Sequence, residues 1–231
     1  MITAIAKNYR IIAKLLALNV PSPSSLFTIR HASSRDVGHV SDILTESFYR
    51  NSNRKVNFLL RCFTDWVYPL LRYGIMLDLS SRFGEKTPCY ACLVATHPAN
   101  KSQAIASLEI CMRYVPVKSH REFWLGREMQ QYPYIFNLAV HPQWRRRGVA
   151  KQLLIAAEKT VKQWGFSHLY MHVLEDNQPA RQLYDLIGYR FYSQEGSVNY
   201  WLLGSPRRFL LQKKLTDLTP PSSSGKAKSD G

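Results

Sequence analysis

Long apolar runs are missing from this chain. No stretch approaches the ~18–20 uninterrupted apolar residues that a membrane-spanning helix requires. Cysteine is scarce, with Cys62, Cys89, Cys92 and Cys111 the only four in 231 residues, which excludes a disulfide framework. Cys89 and Cys92 have CxxC spacing, but no second pair follows to complete a zinc site. They open an apolar run to Ala95 that reads as a strand, where residues three apart face opposite ways, so the cysteines are expected in the core. Three further patterns are absent: the phosphate loop GxxxxGK[ST], the dinucleotide fingerprint GxGxxG and the zinc-binding HExxH. His141 and His168 join no ligand set, and no metal is expected. Acidic residues are few, 16 against 31 Lys plus Arg, and the first is Asp36. The net charge of +15 calls for an anionic partner such as nucleic acid, a membrane headgroup or a polyphosphorylated small molecule.

What is present divides into three parts. Residues 1–26 carry Lys7, Arg10 and Lys14 without an acid, place Ile11, Ile12, Leu15 and Leu16 on one helical side, and end in the breaker cluster Pro21 to Ser25. An organelle transit peptide, a membrane-surface helix and a plain extension all fit this segment, whereas the features of a secretory signal are missing. The expected location is cytoplasmic, or a plastid or other organelle stroma where the segment is a transit peptide. Residues 27–215 have the hydrophobic content of one domain, and residues 216–231 form a Pro/Ser/Gly/Lys-rich tail expected to be disordered.

Within the domain, Phe27 to His31 alternates as a strand, and Ser34 sits where a helix N-cap belongs, ahead of Val37, Val40, Ile43 and Leu44. A second apolar helix is expected over about 56–77. Strands follow near 89–95, 104–115 and 133–140, with Lys118 to Gln131 a loop or short helix. Val149 to Trp164 repeats apolar residues on one face and stops at Gly165. A strand over Leu169 to Leu174, a helix over 178–187 closed by Gly188, and a strand over 189–193 complete a mixed α/β sheet.

The segment from Val140 to Lys151 carries the chemistry. A strand ends, the chain turns through Arg145, Arg146, Arg147 and Gly148, and a helix begins at Val149. Unpaired amides at a helix N-terminus favour an anion, Gly148 lets the main chain approach a diphosphate, and Ala150 is small. Arg145-x-x-Gly148-x-Ala150 resembles the acetyl-CoA signature Q/R-x-x-G-x-G/A of the GCN5-related N-acetyltransferase (GNAT) superfamily. Asn177-x-x-Ala180-x-x-Leu183-Tyr184-x-x-x-Gly188-Tyr189 is similar to its second signature, N-x-x-A-x-x-L-Y-x-x-x-G-F/Y. The two cover about 134–192, and Ala150 departs from the commoner glycine.

The resemblance implies a fold and a set of roles. The fold is a mostly antiparallel sheet splayed between two adjacent strands and flanked by helices. Leu138, Ala139 and Val140 offer backbone groups to the pantetheine arm of acetyl-CoA, with the Val140 N–H polarising the thioester carbonyl. Arg145, Arg146, Arg147, Gly148, Val149, Ala150 and Lys151 surround the diphosphate. Asn177 bonds the cofactor arm, and Tyr184 is the general acid for the departing thiolate. A thiolate of pKa ~8.5 gains from a proton donor, and an attacking amine of pKa ~8 (α-amine) or ~10.4 (lysine) needs a base. Bacterial relatives acting on ribosomal-protein N-termini use a Glu where this chain has Tyr132. Tyr134 and His172 instead resemble a tyrosine–histidine pair of a eukaryotic N-terminal acetyltransferase, with Glu109 the runner-up base.

The expected function is therefore acetyl transfer from acetyl-CoA to a primary amine in a ternary complex. Protein lysines or N-termini are the favoured acceptors, because the positive charge repels polycationic amines and aromatic segments such as Tyr132-Pro133-Tyr134 and Phe123-Trp124 suit a peptide groove. Small-molecule amines are the alternative, and a nucleic-acid or membrane-surface module is a third reading that no RRM, KH or zinc-finger pattern supports. No specific nucleic acid and no transmembrane segment are expected, and the chain is expected to be a monomer or weak dimer.

Overall fold

The computed structural model describes residues 26–52, 58–84, 89–97, 99–116, 129–195 and 207–215. Seven strands form one sheet: β1 Thr28–His31, β2 Ala91–Thr96, β3 Ala104–Pro116, β4 Met129–Val140, β5 His168–Leu174, β6 Arg190–Glu195 and β7 Arg208–Lys214. Among the described residues four α-helices accompany it: α1 Val37–Ser52, α2 Phe58–Gly84, α3 Val149–Gln163 and α4 Gln178–Leu186. The strand order is β1-β2-β3-β4-β5-β7-β6, antiparallel throughout except for β4 against β5. That parallel pair needs a crossover, which α3 supplies.

Both faces of the sheet are covered over its first half, so β2 is buried at every position. Alternation splits its residues between two cores. Ala91, Leu93 and Ala95 join Leu153, Leu154, Ala157 and Val161 of α3 and Tyr184 of α4 on one face. Val94 joins Val40, Ile43 and Leu44 of α1 and Leu79 of α2 on the other. Val149, Leu153, Ala157 and Val161 of α3 recur every four positions with Leu154 beside them, which is the stripe that the sequence shows. Gly165 and Gly188 take φ of +85° and +94° just past α3 and α4, the left-handed stops that glycine favours.

Several boundaries differ from expectation for local reasons. The cap ahead of α1 is Ser33, not Ser34: its N–H and hydroxyl both donate to Asp36, at 2.7 and 2.9 Å, and a 3-10 turn Ser34–Asp36 precedes the helix. Helix α2 runs to Gly84 instead of 77, because Leu79 is fully buried and Arg82 pairs with Asp78 a turn earlier. β2 begins at Ala91, since Cys89 adopts φ +58° and leaves the strand region. β4 begins at Met129, inside the stretch expected as a loop, and β7 was not expected at all. Cys62, the segments at 1–25 and 216–231, and Phe123-Trp124 lie outside the residues whose side chains are described. No described helix is long and apolar enough to cross a membrane.

Candidate active site

β4 is bent by an extra residue. Ser107 faces Ala139 and Glu109 faces Phe136, so Asn137 and Leu138 together oppose Leu108 alone. This is a β-bulge, with Asn137 at φ +51°. On its other side β4 pairs with β5 only at Tyr134–Tyr170 and Ile135–Met171, and beyond that point the two strands part. The His141 N–H donates to the Ile105 carbonyl at 2.9 Å. Consequently the facing pair Val140–Ala106 is the kind whose own amides and carbonyls point away from each other. The Val140 N–H is thereby directed to the side that β5 has left.

The chain then passes a 3-10 turn, Pro142–Trp144, and enters α3 through residues in left-handed conformations, Arg146 at φ +63° and Gly148 at φ +80°. Among the described residues, the first amide after Arg145 to find a backbone acceptor is that of Gln152, which donates to the Gly148 carbonyl at 3.1 Å. Among the described residues the amides of 146–151 thus have no backbone acceptor, at the end of the helix where the dipole favours an anion. The arginines divide their work. Arg145 Nε donates to the Val140 carbonyl at 3.1 Å, tying the turn to the strand end. Arg147 lies over the Trp144 ring at 5.0 Å, and Trp144 meets His97 edge-on at 5.1 Å. Arg146 and Lys151 are exposed at the helix start. Donor chemistry and charge both fit a diphosphate.

The profile of the Acetyltransferase (GNAT) family matches residues 65–189, more than half of the chain. The chain belongs to this acetyltransferase family. Among curated relatives, a GCN5-related N-acetyltransferase 10, chloroplastic, of Arabidopsis thaliana is 27% identical over 161 residues, covering 68% of this chain and 62% of that protein. A [ribosomal protein bS18]-alanine N-acetyltransferase of Haemophilus ducreyi is 40% identical over 55 residues, 24% of this chain and 38% of that protein. The chain thus spans less than two thirds of the length of either. In fold it is similar to the PaiA N-acetyltransferase of Thermoplasma acidophilum solved with coenzyme A, at a TM-score of 0.57 and 17% identity over 81% of this chain and 98% of that one.

On a GNAT scaffold the remaining candidate residues surround the parting of β4 and β5. Tyr134 lies where the strands still pair, and its Oη is 2.6 Å from Nδ1 of His172, the residue just past the last pairing at Met171. Arg113 of β3 lies over the Tyr134 ring at 4.9 Å. Tyr184 reaches the same region from α4. Burial, and secondarily the neighbouring Tyr134, raises its pKa, so the phenol keeps its proton. Asn177 caps α4, its Oδ1 accepting from the Ala180 N–H at 3.3 Å, which commits the carbonyl end and leaves the amide end as the donor.

Glu109, the other candidate base, lies on β3 opposite Phe136. It is fully buried, and its oxygens accept from Asn137 Nδ2 at 2.7 Å, Arg82 Nη1 at 2.8 Å and Tyr90 Oη at 2.7 Å. Tyr132 bonds Gln130 on its own strand at 2.8 Å. The sequence reading missed Asn137, Arg82, Tyr90 and Arg113. An Asn inside an apolar strand was the one available signal, since Asn tolerates φ > 0 and often marks a bulge.

Proposed function

We propose that the chain acetylates a primary amine of a protein, an N-terminal α-amine or a lysine, using acetyl-CoA in a ternary complex. The observation that carries this reading is the 2.6 Å contact of Tyr134 with His172 beside the gap that the Val140 amide faces. When bound, acetyl-CoA supplies an activated acyl group on a thiolate leaving group. The chain's residues meet four needs of that transfer. The amides of 146–151 with Arg146 and Lys151 neutralise the diphosphate. The Val140 N–H donates to the carbonyl oxygen as charge grows there. His172, oriented by Tyr134, accepts the proton that the ammonium loses, directly or through a water. Tyr184 gives its proton to the sulfur as the carbon–sulfur bond breaks.

The acceptor class rests on the surface beside the pair. The half-buried rings of Tyr132 and Tyr192 flank the buried Tyr170 (ring centroids 5.0 and 5.4 Å away), with Arg113 beside Tyr134. The partly exposed Tyr132 and Tyr192 offer aromatic surface to a peptide. The Haemophilus relative, named for a ribosomal protein's alanine, supports a protein amine, and the chloroplastic Arabidopsis relative supports a plastid location. Mass spectrometry of a bacterial host expressing the chain tests the reading, with N-terminal and lysine sites scored separately against a Tyr184→Phe control. New acetylation in one class names the acceptor. No gain in either class, alongside turnover of acetyl-CoA with small amines, overturns the protein assignment.

A further inference from the structure

We propose that Glu109 is a positioning residue: acting through Asn137, it sets the bulge of β4 and so holds the Val140 amide toward the thioester. The inference rests on reading the β4–β5 gap as the thioester site. A carboxylate whose two oxygens already accept from an amide, a phenol and a guanidinium has its lone pairs occupied by donors of β4, α2 and Tyr90. What those bonds do is mechanical. The Asn137 side chain is tied to β3, and its backbone is held at φ +51°. The extra residue at this bulge shifts the inward–outward alternation by one, so Val140 and not Ala139 directs its amide away from β3.

Asparagine suits the position on two counts. It enters the left-handed region more readily than most residues, and its Nδ2 can donate to a carboxylate, where aspartate would repel. The clamp also extends outward. Arg82 of α2 bonds Glu109 and lies 5.0 Å over the ring of Phe136, the residue just before the bulge. A charge on a surface helix is thereby linked to one backbone amide in the gap.

Calorimetry with CoA and with acetyl-CoA isolates the effect, since both carry the diphosphate and the arm but only one has the acetyl carbonyl. For Asn137→Gly, which keeps φ +51° without strain, CoA affinity is expected to stay within about twofold of wild type. The ratio of acetyl-CoA to CoA affinity should fall about fivefold, the scale of one net hydrogen bond. Glu109→Gln should move the ratio the same way, and the double variant no further than the worse single one, because the two act as a unit. The midpoints of the pH profile of kcat/KM should not move. If Glu109→Gln fails to fold with Arg82 left unmatched, Asn137→Gly alone decides.

An unchanged ratio in Asn137→Gly overturns the clamp. Loss of an ionisation from the pH profile in Glu109→Gln also overturns it and makes Glu109 the base. The affinity ratio does not depend on the acceptor. A wild-type chain that acetylates no protein, while Asn137→Gly shows the expected shift, supports the clamp and removes only the acceptor class proposed above.

Discussion

Replacing Gly148 by alanine separates two demands on one position, the backbone's and the ligand's. Gly148 sits at φ +80°, and a Cβ built there meets no protein atom within 4 Å. The cost to folding is therefore conformational alone, about 1–2 kcal/mol for an L-residue in the left-handed region. For a domain of this size that lowers Tm by about 2–8 °C. Open space in the protein is the space a diphosphate would use, so the added methyl should cost CoA binding well beyond the stability loss, tenfold or more. Arg146→Gly is the companion. It relieves the strain at φ +63° and should raise stability by up to about 1 kcal/mol, while also weakening CoA through the lost charge. Thermal unfolding and titration calorimetry with CoA give both numbers. If Gly148→Ala shows the expected drop in Tm but binds CoA like wild type, the cradle assigned to 146–151 is wrong.

Three other expectations come from single contacts. Tyr184→Phe should cut kcat more than tenfold with acetyl-CoA affinity nearly unchanged, and an unaltered kcat in steady-state assays would remove Tyr184 from the proton path. Tyr134→Phe and His172→Ala should each lower kcat/KM, and the double variant should fall little below the worse of the two, because the 2.6 Å contact makes them one unit; additive losses would show that they act separately. Asp36 concerns stability. Burial pushes its pKa up, but the Arg30 guanidinium and the Ser33 N–H and hydroxyl outweigh this and hold it at about 2. A carboxylate depressed in the folded state stabilises above its unfolded pKa near ~3.9, and the contribution fades as pH falls toward 2. Asp36→Asn should therefore destabilise at pH 7 by about 1–2 kcal/mol, a discounted figure because Arg30 is partly exposed, and should flatten the acid limb between about pH 5 and 2 in denaturant melts.

The parts legible in the sequence are those whose cause is local. The stripe of α3, the glycine stops at Gly165 and Gly188, and the turn from Arg145 to Gly148 each follow from residues within a few positions, and the structure places all of them as the sequence implies. The strand β7 escaped notice because Phe209, Leu210 and Leu211 form a short apolar run between Arg207-Arg208 and Lys213-Lys214, which reads as a basic segment. Its place between β5 and β6 is a tertiary fact that no alternation pattern encodes. The Glu109 cluster was illegible for a related reason. Arg82, Tyr90 and Asn137 lie 27, 19 and 28 positions from it along the chain, and nothing in their own neighbourhoods announces a shared carboxylate. The Tyr134–His172 contact spans 38 positions and was anticipated only through a family resemblance.

Strain shows the same site from another direction. Among the described residues only three that are not glycine take positive φ, Cys89, Asn137 and Arg146. Each adjoins the proposed machinery: Cys89 precedes the tyrosine that donates to Glu109, Asn137 forms the bulge, and Arg146 enters the amide cradle. At roughly 1–3 kcal/mol apiece such conformations persist only where surrounding structure over-determines them. The nearby core has that capacity, since Leu153 and Leu154 of α3 are fully buried and each contributes about 2–3 kcal/mol by burial. Strain distributed at random would not select the bulge and the helix entrance that flank the Val140 amide. Its placement there is what a chain would show if the backbone between Asn137 and Gly148 were shaped for a ligand, with the helix behind it making that shape tolerable.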